Sequence, residues 1–388
     1  MSATRQQALS EFGEVFGDPY KRAKEWKKSN KREVIGCLPM YVPEEIIHAA
    51  GMLPITIFED EEPVALADKH LQTNTCELIR STFDMTLRGK LDFLDGLVIP
   101  EICDQLRFFG DVWEKDHPFP YFDHLWTSLK LDEVSRAFLI QEWNRFKSTL
   151  GEFAGKEISD QTLWESIQHK PRHSILQRKL YTLRREKPGL ISAKDMVKVV
   201  VSSMLMPKEE HSKLLTELIK DIRKETPPTN EKIKVVLVGK PCTIPEEKML
   251  DLIEEVGMVV VDDDLYAGGR YPATDVLVGR HPIEALVDYQ LNMIPCTTRQ
   301  NPAYFSVTEP APDYSDYVIQ MVKRSSAKGA IILKVMYCDP FDLEYPYLVE
   351  RLSAEGIPYF ALTTGYEMES SESIRTRLQA FREMIESK

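Results

Sequence analysis

Six cysteines carry most of the chemistry in this sequence: Cys37, Cys76, Cys103, Cys242, Cys296 and Cys338. Two of them stand in an echo. Gly96 opens an apolar run, Leu97-Val98-Ile99-Pro100, that leads to Cys103-Asp104, and Gly329 opens a second, Ala330-Ile331-Ile332-Leu333, that leads to Cys338-Asp339. A continuous apolar run of this length, bounded by turn signals, suits a strand buried on both faces of a parallel sheet. Ligands of open α/β sheets gather outside the carboxyl ends of the strands. Each Cys-Asp pair is therefore expected where such a fold does its chemistry, and the two cysteines are expected to share a metal site. Cys76, in Thr75-Cys76-Glu77-Leu78-Ile79-Arg80, reads as a helix start, where the helix dipole and Arg80 favour the thiolate. Cys76, Cys103 and Cys338 facing one cleft would make a three-thiolate iron site with one iron left open. For any single cysteine the competing reading is a small buried hydrophobe. Cys296, read at a strand end, is the reserve ligand, and Cys242 reads as structural.

The elements that must position these thiols repeat along the chain. Val34-Ile35-Gly36-Cys37 is a short buried strand, Pro43-Glu44-Glu45 opens a helix, Gly51-Met52 closes it, and Leu53 to Phe58 is the next strand. Proline and carboxylates both suit a helix N-terminus, and glycine suits its end. Val236-Leu237-Val238-Gly239, Pro245-Glu246-Glu247, Gly257-Met258 and Val259-Val260-Val261-Asp262 repeat that order. Each copy is followed by its own Gly…Cys-Asp strand. The fold expected is α/β, with two related, doubly wound parallel-sheet domains facing a cleft and a helical segment between them. The divisions expected are an N-terminal helical arm at 1–33, solvated and basic at Lys27-Lys28; a first α/β domain at 34–130; a helical connection at 131–229; and a second α/β domain at 230–388. In the connection Phe138, Leu139, Trp143, Phe146 and Leu150 form a core-facing stripe. Pro227-Pro228-Thr229-Asn230 reads as the linker out of it. Asp262-Asp263-Asp264, before Gly268-Gly269-Arg270, reads either as a cation or ligand loop or as a polar turn. Residues 376–385 read as a closing helix.

The totals exclude some classes. The chain has 388 residues and a formal charge of -12, which argues against nucleic acid or an anionic membrane as the main partner. No apolar run approaches the roughly 20 residues of a membrane span, and the first residues have no apolar signal core. A cytoplasmic location is expected, where free thiols or metal ligands are favoured over disulfides. There is no G-x-x-x-x-G-K-[ST] loop, no G-x-G-x-x-G after a strand, no G-x-S-x-G, no H-E-x-x-H and no C-x-x-C. What remains is a set of widely spaced cysteines.

Several stretches resemble the 2-hydroxyacyl-CoA dehydratase/benzoyl-CoA reductase family. They are Val34 to Pro54 with Tyr41-Val42-Pro43-Glu44-Glu45-Ile46-Ile47-His48-Ala49-Ala50-Gly51, then Val98-Ile99-Pro100 to Cys103-Asp104, then Asp262-Asp263 to Arg270. Lys334 to Pro346 and Thr376 to Phe381 complete the set. The resemblance runs over roughly residues 32–385, and the segment Met206 to His211 looks most like the smaller, C-type subunits of the ATP-dependent reductases. It implies a [4Fe-4S] cluster on Cys76, Cys103 and Cys338. It also implies a homologous B-type partner subunit, ATP-hydrolysing activator subunits, ferredoxin as electron donor and an acyl-CoA substrate. An ATPase on other chains fits the missing phosphate loop. The activity implied is transfer of low-potential electrons to the thioester or aromatic ring of an acyl-CoA. The alternatives are a 2-hydroxyacyl-CoA dehydratase subunit working by a ketyl radical, a non-catalytic electron-carrying or scaffold subunit, and a homodimeric relative with a double-cubane cluster. Cys37 is a candidate fourth ligand or hydrogen-bonding neighbour, and His48 a candidate proton donor or simple helix-face residue. Arg270 and Arg299 are candidate partners for CoA phosphates.

Overall fold

The computed structural model describes residues 3–60, 62–128, 130–229, 232–277, 279, 281–299, 313–365 and 370–387. Helices α1 (Ala3–Gly17) and α2 (Lys21–Asn30) lead into β1 (Val34–Cys37), α3 (Glu44–Ala49), β2 (Leu53–Thr56), α4 (Glu77–Leu87), β3 (Gly96–Glu101), α5 (Asp104–Asp116) and β4 (Tyr121–Trp126). Four helices follow: α6 (Glu133–Phe153), α7 (Asp160–Glu186), α8 (Ala193–Leu205) and α9 (Lys208–Lys224). The second sheet unit then runs β5 (Ile233–Gly239), α10 (Glu247–Glu255), β6 (Met258–Asp263), α11 (Pro282–Leu291) and α12 (Tyr314–Arg324). It closes with β7 (Gly329–Val335), α13 (Asp339–Ala354), β8 (Tyr359–Thr364) and α14 (Ser371–Glu386). The Asn230 end of the expected linker lies outside the described residues.

Each unit holds a four-stranded sheet, and the two orders match: β2-β1-β3-β4 and β6-β5-β7-β8. Every pairing is parallel. The cause is legible in the strands. β1, β2, β3 and β6 are buried along their whole length, as a sheet covered by helices on both faces requires. Glycine sets the closest approaches. A Cβ on Gly96 would stand 2.8 Å from the Tyr121 Cβ, so only glycine lets β3 lie this close to β4. Gly239, at the end of β5, has φ 103° and would put a Cβ 2.2 Å from the Leu333 carbonyl oxygen.

The helical segment is a shared wall. Leu139, Trp143, Phe146 and Leu150 of α6 are all at most 1% exposed, and burying such a side chain contributes about 2–3 kcal/mol. Phe138 departs from the expected stripe: it is 43% exposed, because the helical phase of its four neighbours turns it outward. The N-terminal arm is more than a solvated arm. α1 packs on α8 and α9, with Ala8, Phe12 and Val15 buried. Lys27 of the basic cluster donates to the Phe93 carbonyl and to Asp95, tying α2 to the first sheet. No helix among the described residues is long and apolar enough to cross a membrane.

Candidate metal centre

Three of the cysteines sit at the same local position. Cys76 is the residue before α4, Cys103 the residue before α5 and Cys338 the residue before α13. Cys103 follows β3 and Cys338 follows β7, the corresponding strands of the two sheets. The carboxyl ends of the sheets therefore face each other, and all three thiols line one cavity between them. Cys242 lines it too, from the connection between β5 and α10. The cavity holds about 500 Å³ of empty space, part of it open to solvent, and its wall is almost wholly apolar.

One side chain cross-ties this arrangement. The Gln105 amide oxygen accepts from the Cys76 backbone N–H at 2.7 Å. Its nitrogen donates to the Tyr337 carbonyl at 2.9 Å and to Asp339 at 3.2 Å. Gln105 thus fixes Cys76 against the segment that carries Cys338, across the gap between the two sheet units. A second tie runs from the Ile244 backbone N–H to Glu59 at 2.6 Å.

Burial pushes the Cys76 and Cys103 thiols up, and Cys338 up to about 12. First-turn amides at Leu78 and Ile79 pull Cys76 down, and Phe341 does the same at Cys338, but burial wins. The thiols also raise one another's pKa, since each charge opposes the next: Cys76 feels Cys103 and Cys338. No side-chain cation stands among the leading influences on these three, and Arg80 is turned to Asp68 and the Thr73 carbonyl. Deprotonated sulfur here needs a metal to stabilise it. The donor set is sulfur alone, the soft set that selects zinc, copper(I) or iron–sulfur clusters. Among the described residues no group of three or more His, Cys, Asp or Glu closes tightly enough to hold a single metal ion. Thiols that line one cavity without closing on a single point suit a cluster, in which each sulfur would bind a different iron.

The remaining expected residues fall elsewhere. Cys37 ends β1, but it is buried in the cluster that also holds Ile46, Ile47, Val98 and Leu139, and it is not part of the cavity wall. Cys296 does not end a strand. It lies in a turn after α11, where Arg299 donates to the carbonyls of Gln290 and Met293 and so folds the segment back on the helix. Its sulfur bonds the Thr298 hydroxyl at 3.3 Å, and Thr298, not Cys296, reaches the cavity. Burial raises the Cys296 thiol, yet Arg270, Thr298 and Tyr41 together hold it below the ordinary value. Arg270 is buried and paired with Asp264, while Arg299 is buried against backbone carbonyls. The three acids at 262–264 are each matched by arginine: Asp262 by Arg185 and Arg324, Asp263 by Arg184, Asp264 by Arg270. His48 lies on the exposed side of α3, bonded to the Ser166 hydroxyl at 2.8 Å.

Sequence reasoning missed two residues of the wall. Cys242 follows Gly239-Lys240-Pro241, a turn after the strand that corresponds to β1, and that position was the available signal. Gln105 carried no signal of its own, since its role depends on the opposite sheet unit.

The sequence matches the family described as 2-hydroxyglutaryl-CoA dehydratase, D-component, over residues 39–385. The chain belongs to this family. It is similar to a benzoyl-CoA reductase subunit of Thauera aromatica, 28% identical over 94% of each chain. It is also similar to the (R)-phenyllactyl-CoA dehydratase beta subunit of Clostridium sporogenes, 25% identical over 97% of this chain and 98% of that one. The (R)-2-hydroxyglutaryl-CoA dehydratase beta subunit of Acidaminococcus fermentans is 27% identical over the same shares. The relatives named here are subunits of dehydratases and of a reductase.

Proposed function

We propose that this chain is the iron–sulfur subunit of an ATP-dependent aromatic acyl-CoA reductase of the benzoyl-CoA type. A [4Fe-4S] cluster would be held by Cys76, Cys103 and Cys338. The observation that carries this reading is the convergence of three helix-capping cysteines, from both sheet units, on one apolar cavity. Such a cluster, when bound, supplies one-electron transfer at low potential. The chain's own residues supply placement. The two sheets bring the thiols together, Gln105 holds Cys76 to the Cys338 segment, and the wall around the sulfurs is largely apolar. A homologous B-type subunit, an ATP-hydrolysing activator, ferredoxin and an acyl-CoA complete the system. Relatives named as dehydratase beta subunits, covered over 97% of this chain, support a second reading as a 2-hydroxyacyl-CoA dehydratase subunit.

Anaerobic purification with iron and sulfide analysis tests the cluster. Cys103→Ala and Cys338→Ala should each lower both contents, and unchanged iron in the two variants would sink the assignment. Assaying the assembled complex with reduced donor and ATP, on benzoyl-CoA against a 2-hydroxyacyl-CoA, separates reductase from dehydratase. A chain free of iron and sulfide would be a scaffold.

A further inference from the structure

We infer that the cavity between α3, α7 and the start of α9 is a binding site for a small organic primary amine, taken up as its ammonium ion. The site is independent of the cluster proposed above, and it shares no lining residue with the cysteine cavity.

The cavity holds about 730 Å³ of empty space, part of it open to solvent. Two helix faces build its polar wall. Glu44, Glu45 and His48 come from α3, and Ser166, Lys170 and His173 lie on one face of α7, spaced four and then three apart. Hydrogen bonding leaves this wall rich in acceptors. Ser166 gives its one proton to the Glu45 carbonyl at 2.8 Å, so its oxygen accepts from Nδ1 of His48. Burial holds the His48 ring below the ordinary histidine range, and the neutral ring keeps a lone pair on Nε2. His173 donates from Nε2 to His211, which is itself committed to the Val199 carbonyl, and a lone pair is left on Nδ1. Glu45 is 5% exposed; its Oε1 meets Lys170 at 2.6 Å, while Oε2 is buried with no hydrogen-bond partner. A buried carboxylate oxygen without a donor is costly to keep, and a ligand that brings a donor recovers the loss.

The two lysines of the cavity are already engaged. Lys208 donates to the Ser203 carbonyl and the Tyr271 hydroxyl and faces Glu44 at 3.1 Å, while Lys170 lies between Glu45 and the Tyr289 ring. With Glu209 at the rim, the wall sets three carboxylates against these two ammoniums, which favours a cation over an anion. Among the described residues the acceptors do not close on a single metal ion. An ammonium stands about 2.8 Å from each acceptor, against about 2.1 Å for a metal–nitrogen bond, so it suits a wider ring of acceptors and offers three donors to it. Trp26, Met52, Leu53, Pro54 and Met206 form an apolar wall beside these groups, which takes the hydrocarbon body of the amine.

The test is calorimetric titration of the whole purified chain at neutral pH with 2-phenylethylamine, with 2-phenylethanol as its uncharged counterpart. The amine should bind one to a chain, and the alcohol should not bind. Glu45→Gln should weaken the amine by about tenfold or more, the loss of a hydrogen bond to a charged group. His48→Leu, at an exposed position, should keep the melting temperature of the wild type and weaken the amine by about threefold. It decides the question should Glu45→Gln fail to fold. An amine that does not saturate the wild type, an alcohol that binds as well as the amine, or full affinity in His48→Leu would overturn the site.

Discussion

His173 and His211 form a pair deep in the helical segment, 2% and 0% exposed. The Nε2 of His211 lies 2.7 Å from the Val199 carbonyl and must donate to it, so its Nδ1 accepts from His173 Nε2 at 2.9 Å. Both rings are neutral in this arrangement. Burial, and then Lys208 against the opposing Val199 carbonyl, pushes His211 down to about 3; burial and His211 itself push His173 down. The sign follows directly. A folded-state pKa below the unfolded one means that the unfolded chain takes the proton first as pH falls. The full stability is present above about pH 6.5 and drains as pH drops below it. At pH 5.5 each ring that stays neutral in the fold costs about 1.4 kcal/mol, so the pair costs about 3 kcal/mol. Urea unfolding at pH 7.5 and 5.5 measures the loss. His211→Gln removes one titrating ring and keeps a polar group in place, so its loss over that interval should be smaller by about 1.4 kcal/mol. Parallel losses in wild type and variant would refute the neutral-pair argument.

Gly239→Ala should destabilise the chain by on the order of 3 kcal/mol, since a positive φ and a 2.2 Å approach to the Leu333 carbonyl both oppose a Cβ; a thermal melt reads it. Asp263→Asn leaves Arg184, 2% exposed at its side chain, without its counter-charge, and should cost about 3–5 kcal/mol in chemical denaturation. Gln105→Leu keeps the bulk of the side chain but removes both the acceptor of the Cys76 amide and the donor to the Tyr337 carbonyl. It should lower iron retention under chelator while leaving the melting temperature within a few degrees, and equal retention would remove Gln105 from the positioning role.

The strands were legible because burial on both faces demands unbroken apolar runs, and Leu97 to Pro100 and Ala330 to Leu333 supply them. The duplication was legible because each half repeats the same order of turn and helix signals, and the matching strand orders follow from it. The burial of α1 was available in Ala8, Phe12 and Val15, spaced four and then three apart, though the nearby charges pointed to solvent. The turn at Cys296 was not available, because it is set by the Arg299 side chain reaching carbonyls of α11. Arg270 and Arg299 read as candidate partners for CoA phosphates for a similar reason: their partners in the fold, Asp264 and the end of α11, come from tertiary packing. In the candidate site, the three capping cysteines announced themselves by position on an element. Cys242 did not, since a Pro-Cys-Thr turn gains meaning only from the sheet that docks opposite.

The wall of the cysteine cavity comes from five stretches, from the one that holds Cys76 in the first sheet unit to the one that holds Cys338 in the last third of the chain. During synthesis the first sheet unit emerges and can fold long before the second exists. Two of the sulfurs must therefore wait, on a half-built surface, for a partner strand still inside the ribosome. Until β7 pairs and α13 starts, the open end of the first sheet offers loose thiols to oxygen, to stray metals and to other chains. Loading of the proposed cluster would then be an event of late maturation, and growth conditions that slow translation or admit oxidant should lower its iron content before they harm the fold.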